Sequence, residues 1–108
     1  MNDKKIKPRK RSLENEINQI SRMFFLAREV DEFEKLSDID AVDEKERYVS
    51  RVRAAFDSLK EEEKEMINNE FFYENYPFWW VNKYSRSAFY RLRNRSMFNF
   101  KKAFENAI

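Results

Sequence analysis

The chain has 108 residues, 39% charged and 17% aromatic, and a net charge of +2, a mix that suits one helical domain with a charged surface and a few bulky core anchors. It contains no glycine, cysteine or histidine, which removes disulfide frameworks, thiol nucleophiles and the usual zinc sites, and deprives tight β-hairpins of their best turn residues. No apolar run approaches the ~20 residues that span a bilayer, and no signal-peptide core follows the basic N-terminus, so a cytoplasmic protein with no membrane partner, no metal and no cofactor is expected.

The small net charge hides a strong separation. Residues 1–28 carry eight basic and three acidic side chains, residues 29–74 seven and sixteen, and residues 75–108 seven and one. Basic ends around an acidic middle give the molecule a polar field, which can orient it on a polyanion.

Residues 1–11, rich in lysine and arginine, read as a disordered basic tail: a solubilising terminus, or an arm that touches phosphates. Residues 12–108 read as a single helical domain. Ser12 is a good N-cap for a helix running to about Leu36, because Leu13, Ile17, Ile20, Phe24, Ala27, Val30 and Phe33 recur at three- and four-residue steps. That stripe suits either a core or a homodimer seam through residues 13–36. Ser37 to Asp40 break the pattern, and a second helix is expected from near Asp40 or Asp43, with Tyr48, Val49, Val52, Ala55, Phe56 and Leu59 inward.

Ser58 to Glu61 have capping-box spacing for a third helix. Glu61, Glu62 and Glu63 sit at its positive end as a solvated face, and Met66, Ile67 and Phe71 face inward. Pro77 suits the first turn of a short helix carrying Phe78, Trp79, Trp80 and Val81. Asn82 to Tyr84 would form the following turn, with Asn82 the best residue for a left-handed conformation in a chain without glycine. Ser85 then caps a final helix over about 86–105, whose core face is Phe89, Leu92, Ser96, Phe100 and Ala103. The fold class is therefore all-α, with four to five helices and a helix-turn-helix at about 61–105.

With those residues inward, the first turns of the last helix expose Arg86, Ser87, Tyr90, Arg91 and Asn94. Arginine can bond twice to guanine and asparagine twice to adenine, so these five are the candidate base readers in a DNA major groove. Lys83, Ser85, Arg93, Arg95, Lys101 and Lys102 are spread around the helix and suit phosphate contacts, with Ser85 at the helix N-terminus. The aromatic run from Phe71 to Trp80 suits a small core; left exposed, Phe72, Tyr73, Tyr76 and Trp79 would instead bind a protein partner.

The stretch from Ala55 to Ile67 resembles the start of region four of bacterial sigma factors, where an acidic helix precedes the helix-turn-helix. Ser85-Arg86-Ser87-Ala88-Phe89-Tyr90-Arg91-Leu92 resembles the start of their recognition helix, and is more similar still to small phage autolysin-regulator-type and mycoplasma-type transcription factors. The resemblance covers residues 48–105. Departures are Trp79 in place of a small alanine, Asn82-Lys83 in place of Leu-Gly, and Lys60 in place of proline. It implies a non-catalytic regulator of transcription on double-stranded DNA in a bacterial nucleoid, with Arg86, Ser87, Tyr90 and Arg91 at the bases. It also implies RNA polymerase as a second candidate partner, because region four docks there as well. The alternative is a factor that binds the polymerase, or another transcription component, without reading DNA. The carboxylates show no paired arrangement beyond helix faces, so no enzyme is expected.

Overall fold

The computed structural model describes residues 12–29, 39–73 and 76–107, and four α-helices lie among them: α1 (Leu13–Arg28), α2 (Ile39–Asp57), α3 (Glu61–Ile67) and α4 (Arg86–Asn106). A π-helical turn, Asn68–Phe72, continues α3. The domain is all-helical in these residues, as its composition leads one to expect. The basic tail at 1–11, Val30 and Phe33 lie outside the described residues.

Ser12 caps α1 by accepting a hydrogen bond from the Asn15 amide at 3.1 Å. The helix closes at Arg28, where the Glu29 amide turns back to the Leu26 carbonyl, well short of the expected Leu36. Its stripe is spent on the core. Ile17, Ile20 and Phe24 pack with Val52, Ala55 and Leu59 of α2 and its end, Ile67 of α3, and Met97, Phe100 and Phe104 of α4. Met23 and Leu26 are the large apolar side chains that α1 leaves exposed.

The start of α3 corrects two expectations. Its N-cap is Lys60, and the Ser58 hydroxyl instead donates to the Ala55 carbonyl at the end of α2. Glu63 supplies one half of a capping box, its carboxylate accepting from the Lys60 amide at 3.1 Å. Expected on a solvated face, Glu63 is 2% exposed, because α4 lies across it. Beyond Ile67 the coil widens into the π-turn, closed by the Tyr73 amide on the Asn68 carbonyl at 2.9 Å. The wider turn sets Phe72 edge-on to Phe24 and Phe100, and Phe71 beneath the Arg93 guanidinium. The Ser21 hydroxyl, buried in α1, donates to the Phe71 carbonyl at 2.7 Å and ties the turn to the bundle.

No helix forms at residues 77–81. The Trp79 amide bonds to the Tyr76 carbonyl at 3.1 Å, across Pro77 and Phe78, and Phe78 has φ 62°. Proline followed by a positive φ is the pattern of a type II turn, whose third position glycine normally fills. Phenylalanine stands there at a cost of about 1–2 kcal/mol. The left-handed residue is therefore Phe78 and not Asn82. Past it, i to i+3 bonds carry the chain through Val81 and Lys83, and the Tyr84 amide donates four residues back to the Trp80 carbonyl at 3.0 Å. The segment 73–85 between the π-turn and α4 is longer than the roughly 3–4-residue turn of a helix-turn-helix.

Segment and helix share a second small core. Met66, Phe89 and Leu92 are buried, with Trp79, Trp80 and Tyr84 packed on them. Trp80 lies flat on Phe89, centroids 4.1 Å apart at 11°. At the other end of α4 there is no basic residue in the last turn, and α2 supplies one. Arg51 donates to the Phe104 carbonyl at 2.7 Å and lies 4.0 Å above the Phe104 ring, placing a cation at the negative helix end.

Candidate nucleic-acid interface

Ser85 caps α4 as expected, accepting from the Ala88 amide at 3.2 Å. The inward set is Phe89, Leu92, Ser96, Met97, Phe100 and Phe104, with Ala103 half-buried. Ser96 is fully buried and returns its hydroxyl to the Leu92 carbonyl at 2.7 Å. This phase of the helix leaves Arg86, Ser87, Tyr90, Arg91 and Asn94 exposed on the opposite face. All five candidate base readers thus share one outward surface on the first turns of α4.

The candidate phosphate residues divide differently. Arg93 is only 15% exposed at its side chain. It donates to Glu70 of the π-turn at 2.8 Å and to Glu14 of α1 at 3.1 Å, with its guanidinium 5.0 Å above Phe71. Arg95 bridges Glu62 at 2.6 Å and Glu63 at 3.0 Å. Lys83 reaches Glu65 at 2.8 Å, and Lys101 sits between Glu16 and Glu105 at 2.8 and 3.5 Å. Hydrogen bonding to Glu65 raises the Lys83 pKa against its partial desolvation, and hydrogen bonding to Glu16 does the same for Lys101. Among the described residues of α4, Arg86, Arg91 and Lys102 make no ion pair. The Ser85 hydroxyl is occupied by its cap.

Glu63 anchors this acidic side. Burial pushes its carboxyl up, but the Lys60 amide, the Asn99 side-chain amide and the Arg95 guanidinium together outweigh burial and hold it below the usual range. Asn99 donates to it at 2.9 Å. No group of three or more histidine, cysteine or acidic side chains among the described residues is placed to hold a metal ion.

The four candidate partner-binding aromatics also separate. Phe72 is packed into the main core, and Trp79 donates its indole N–H to Glu70 at 2.7 Å while resting edge-on to Phe89. Tyr73 and Tyr76 are exposed, Tyr76 at 82%. Two exposed aromatics were missed from the sequence. Phe98 falls four residues after Asn94 and seven after Arg91, so helical spacing alone places it on the outward face. Phe78 is 69% exposed, and its signal was Pro77 before it in a turn that lacks glycine. No helix of the described residues is long and apolar enough to cross a membrane.

No protein-family model, curated protein or solved structure matches the chain.

Proposed function

We propose that this is a DNA-binding regulator of transcription that reads double-stranded DNA with the exposed face of α4. The observation that carries this reading is a division of labour on one helix. Arg93, Arg95 and Lys101 are held by carboxylates of the same chain, whereas Arg86 and Arg91 stand free beside Ser87, Tyr90 and Asn94. Free guanidinium groups and an amide on the first turns of a helix are the donors that read base edges, and the α4 N-terminus favours a phosphate nearby.

The test is binding to labelled duplex across a salt series, with Arg86→Ala and Arg91→Ala singly and together. On a selected cognate site, loss of a base contact is expected to cost about 1–3 kcal/mol and to relax sequence preference. A residue that contacts phosphate would instead weaken all sequences alike and reduce the salt slope by about 1. Wild-type affinity in the double variant would sink the proposal.

A second reading is a factor that binds RNA polymerase, or another transcription component, without reading DNA. What favours it is that Tyr73, Tyr76, Phe78 and Val81, all from one segment, are exposed, since grouped exposed apolar side chains mark partner sites. Failure to bind any duplex at low salt, with capture of polymerase subunits abolished by substitutions at Tyr73 and Tyr76, would select it.

A further inference from the structure

Beside the free arginines runs a row of aromatic rings. Phe78 lies 6.2 Å from Trp80, and Trp80 lies 6.4 Å from Tyr90, in tilted, edge-like arrangements. Trp80 is pinned by its flat contact with Phe89, so the middle of the row is rigid. Phe78 and Tyr90, on either side of it, are exposed. Arg86 is one helical turn before Tyr90, so a cation borders the row at its α4 end.

Two features argue that the row is kept for a ligand. Phe78 holds a left-handed backbone that glycine would take without strain, yet its ring gains little burial in return. The chemistry of the row is mixed: exposed aromatic rings, with the unpaired Arg86 guanidinium one helical turn from Tyr90. A ligand that complements both must carry flat rings and negative charge in alternation, as a nucleic-acid strand with unstacked bases does. Within a duplex each base face is already covered by its neighbours, which leaves terminal or unpaired bases to stack on protein rings. The adjoining α4 face suits the wide major groove of B-form DNA and not the deep, narrow groove of A-form RNA.

We propose that Phe78, Trp80 and Tyr90 form a stacking platform for unpaired bases of DNA, so that the protein seats at a junction between duplex and single strand. This rests on the reading of the α4 face as DNA-binding, and adds the kind of DNA that it prefers.

The experiment uses the full chain and two labelled probes, a blunt duplex and the same duplex with a single-stranded oligothymidylate tail, with an oligouridylate-tailed duplex as a third for comparison. The tailed probe is expected to bind about tenfold more tightly, the effect of stacking roughly one base, and to quench tryptophan fluorescence. Phe78→Gly is expected to melt no lower than the wild type, to keep its affinity for the blunt duplex and to lose the preference for the tail. Phe78→Tyr is expected to restore that preference. Equal wild-type affinity for both probes, or a tail preference that survives Phe78→Gly, would overturn the platform and return the row to protein docking. Tighter binding to an oligouridylate tail would overturn its assignment to DNA. Blunt-duplex binding without a tail preference removes the platform alone. Tail binding without blunt-duplex binding removes the groove-reading helix alone, and binding to neither probe removes both.

Discussion

Glu63 concentrates the chemistry of the molecule at the scale of one residue. Its carboxylate is 2% exposed and accepts three hydrogen bonds, from the Lys60 amide, the Asn99 amide and Arg95. Those donors stabilise the ionised form, and so the folded-state pKa lies below the unfolded one. A depressed carboxylate pKa contributes stability that is present above the unfolded value, near 4.3, and is lost as pH falls through the folded value. The melting temperature is therefore expected to drop as pH is lowered from about 5, and Glu63→Gln is expected to flatten that drop. At neutral pH, Glu63→Ala leaves three donors without their acceptor and is expected to cost about 1–3 kcal/mol, measured by urea unfolding. An unchanged pH profile in Glu63→Gln would place the acid sensitivity elsewhere. Arg86 is the opposite case. It is exposed and makes no ion pair among the described residues, so its replacement by alanine is expected to leave the melting temperature unchanged.

At the scale of elements, α4 has two sides with different work. One side is clasped: Arg93 to Glu70 and Glu14, Arg95 to Glu62 and Glu63, and Arg51 of α2 on the last turn. The other side, with Arg86, Ser87, Tyr90, Arg91 and Asn94, is left open. Arg93→Ala is expected to destabilise the fold by about 1–3 kcal/mol, because it strips charged hydrogen bonds and the guanidinium that lies over Phe71. Once the protein is folded, the same variant is expected to bind duplex as the wild type does. A variant of full stability that no longer binds DNA would show Arg93 leaving its carboxylates for phosphate. Packing also sets the element that joins the two halves. Pro77 invites a helix start, but Phe78 turns left-handed, and Trp79 and Trp80 fold back onto Phe89. A helical continuation through 77–81 was the local preference, and the second small core overrode it.

Across the whole molecule, the acidic middle and the basic C-terminal third are the two sides of one internal contact. Four of the seven cations of residues 75–108, Lys83, Arg93, Arg95 and Lys101, are spent within the chain, on Glu62, Glu63, Glu65 and Glu70 of the acidic middle and on Glu14 and Glu16 of α1. Several of these pairs are half-exposed, and such pairs are individually weak and screened by salt. Raising salt from about 0.05 to 0.5 M is expected to change folding stability by less than about 1 kcal/mol. Over the same range duplex affinity should fall far more steeply, with a log–log slope of about −0.9 for each phosphate neutralised. Parallel denaturation and binding titrations separate the two. A steep loss of fold stability would mean that the internal pairs, and not the cores, hold α4 in place.

Periodicity and capping chemistry were enough to find the start of α1 and the whole of α4. Ser12 and Ser85 cap where expected, and the three- and four-residue steps find Ile17, Phe24, Leu92 and Phe100 inside, because local hydrogen bonding and one-sided burial act within a few turns of chain. The outward position of Arg86, Ser87, Tyr90, Arg91 and Asn94 follows from the same phase. Partnership across the bundle is a different matter. That Arg93 is held while Arg91 is free, that Glu63 is buried while Glu61 is solvated, and that Phe78 is the left-handed residue depend on groups far apart in the chain. Neighbouring residues of one type look alike to a local pattern. Only the approach of α1, α3 and the π-turn to one side of α4 gives them different surroundings, and so different work.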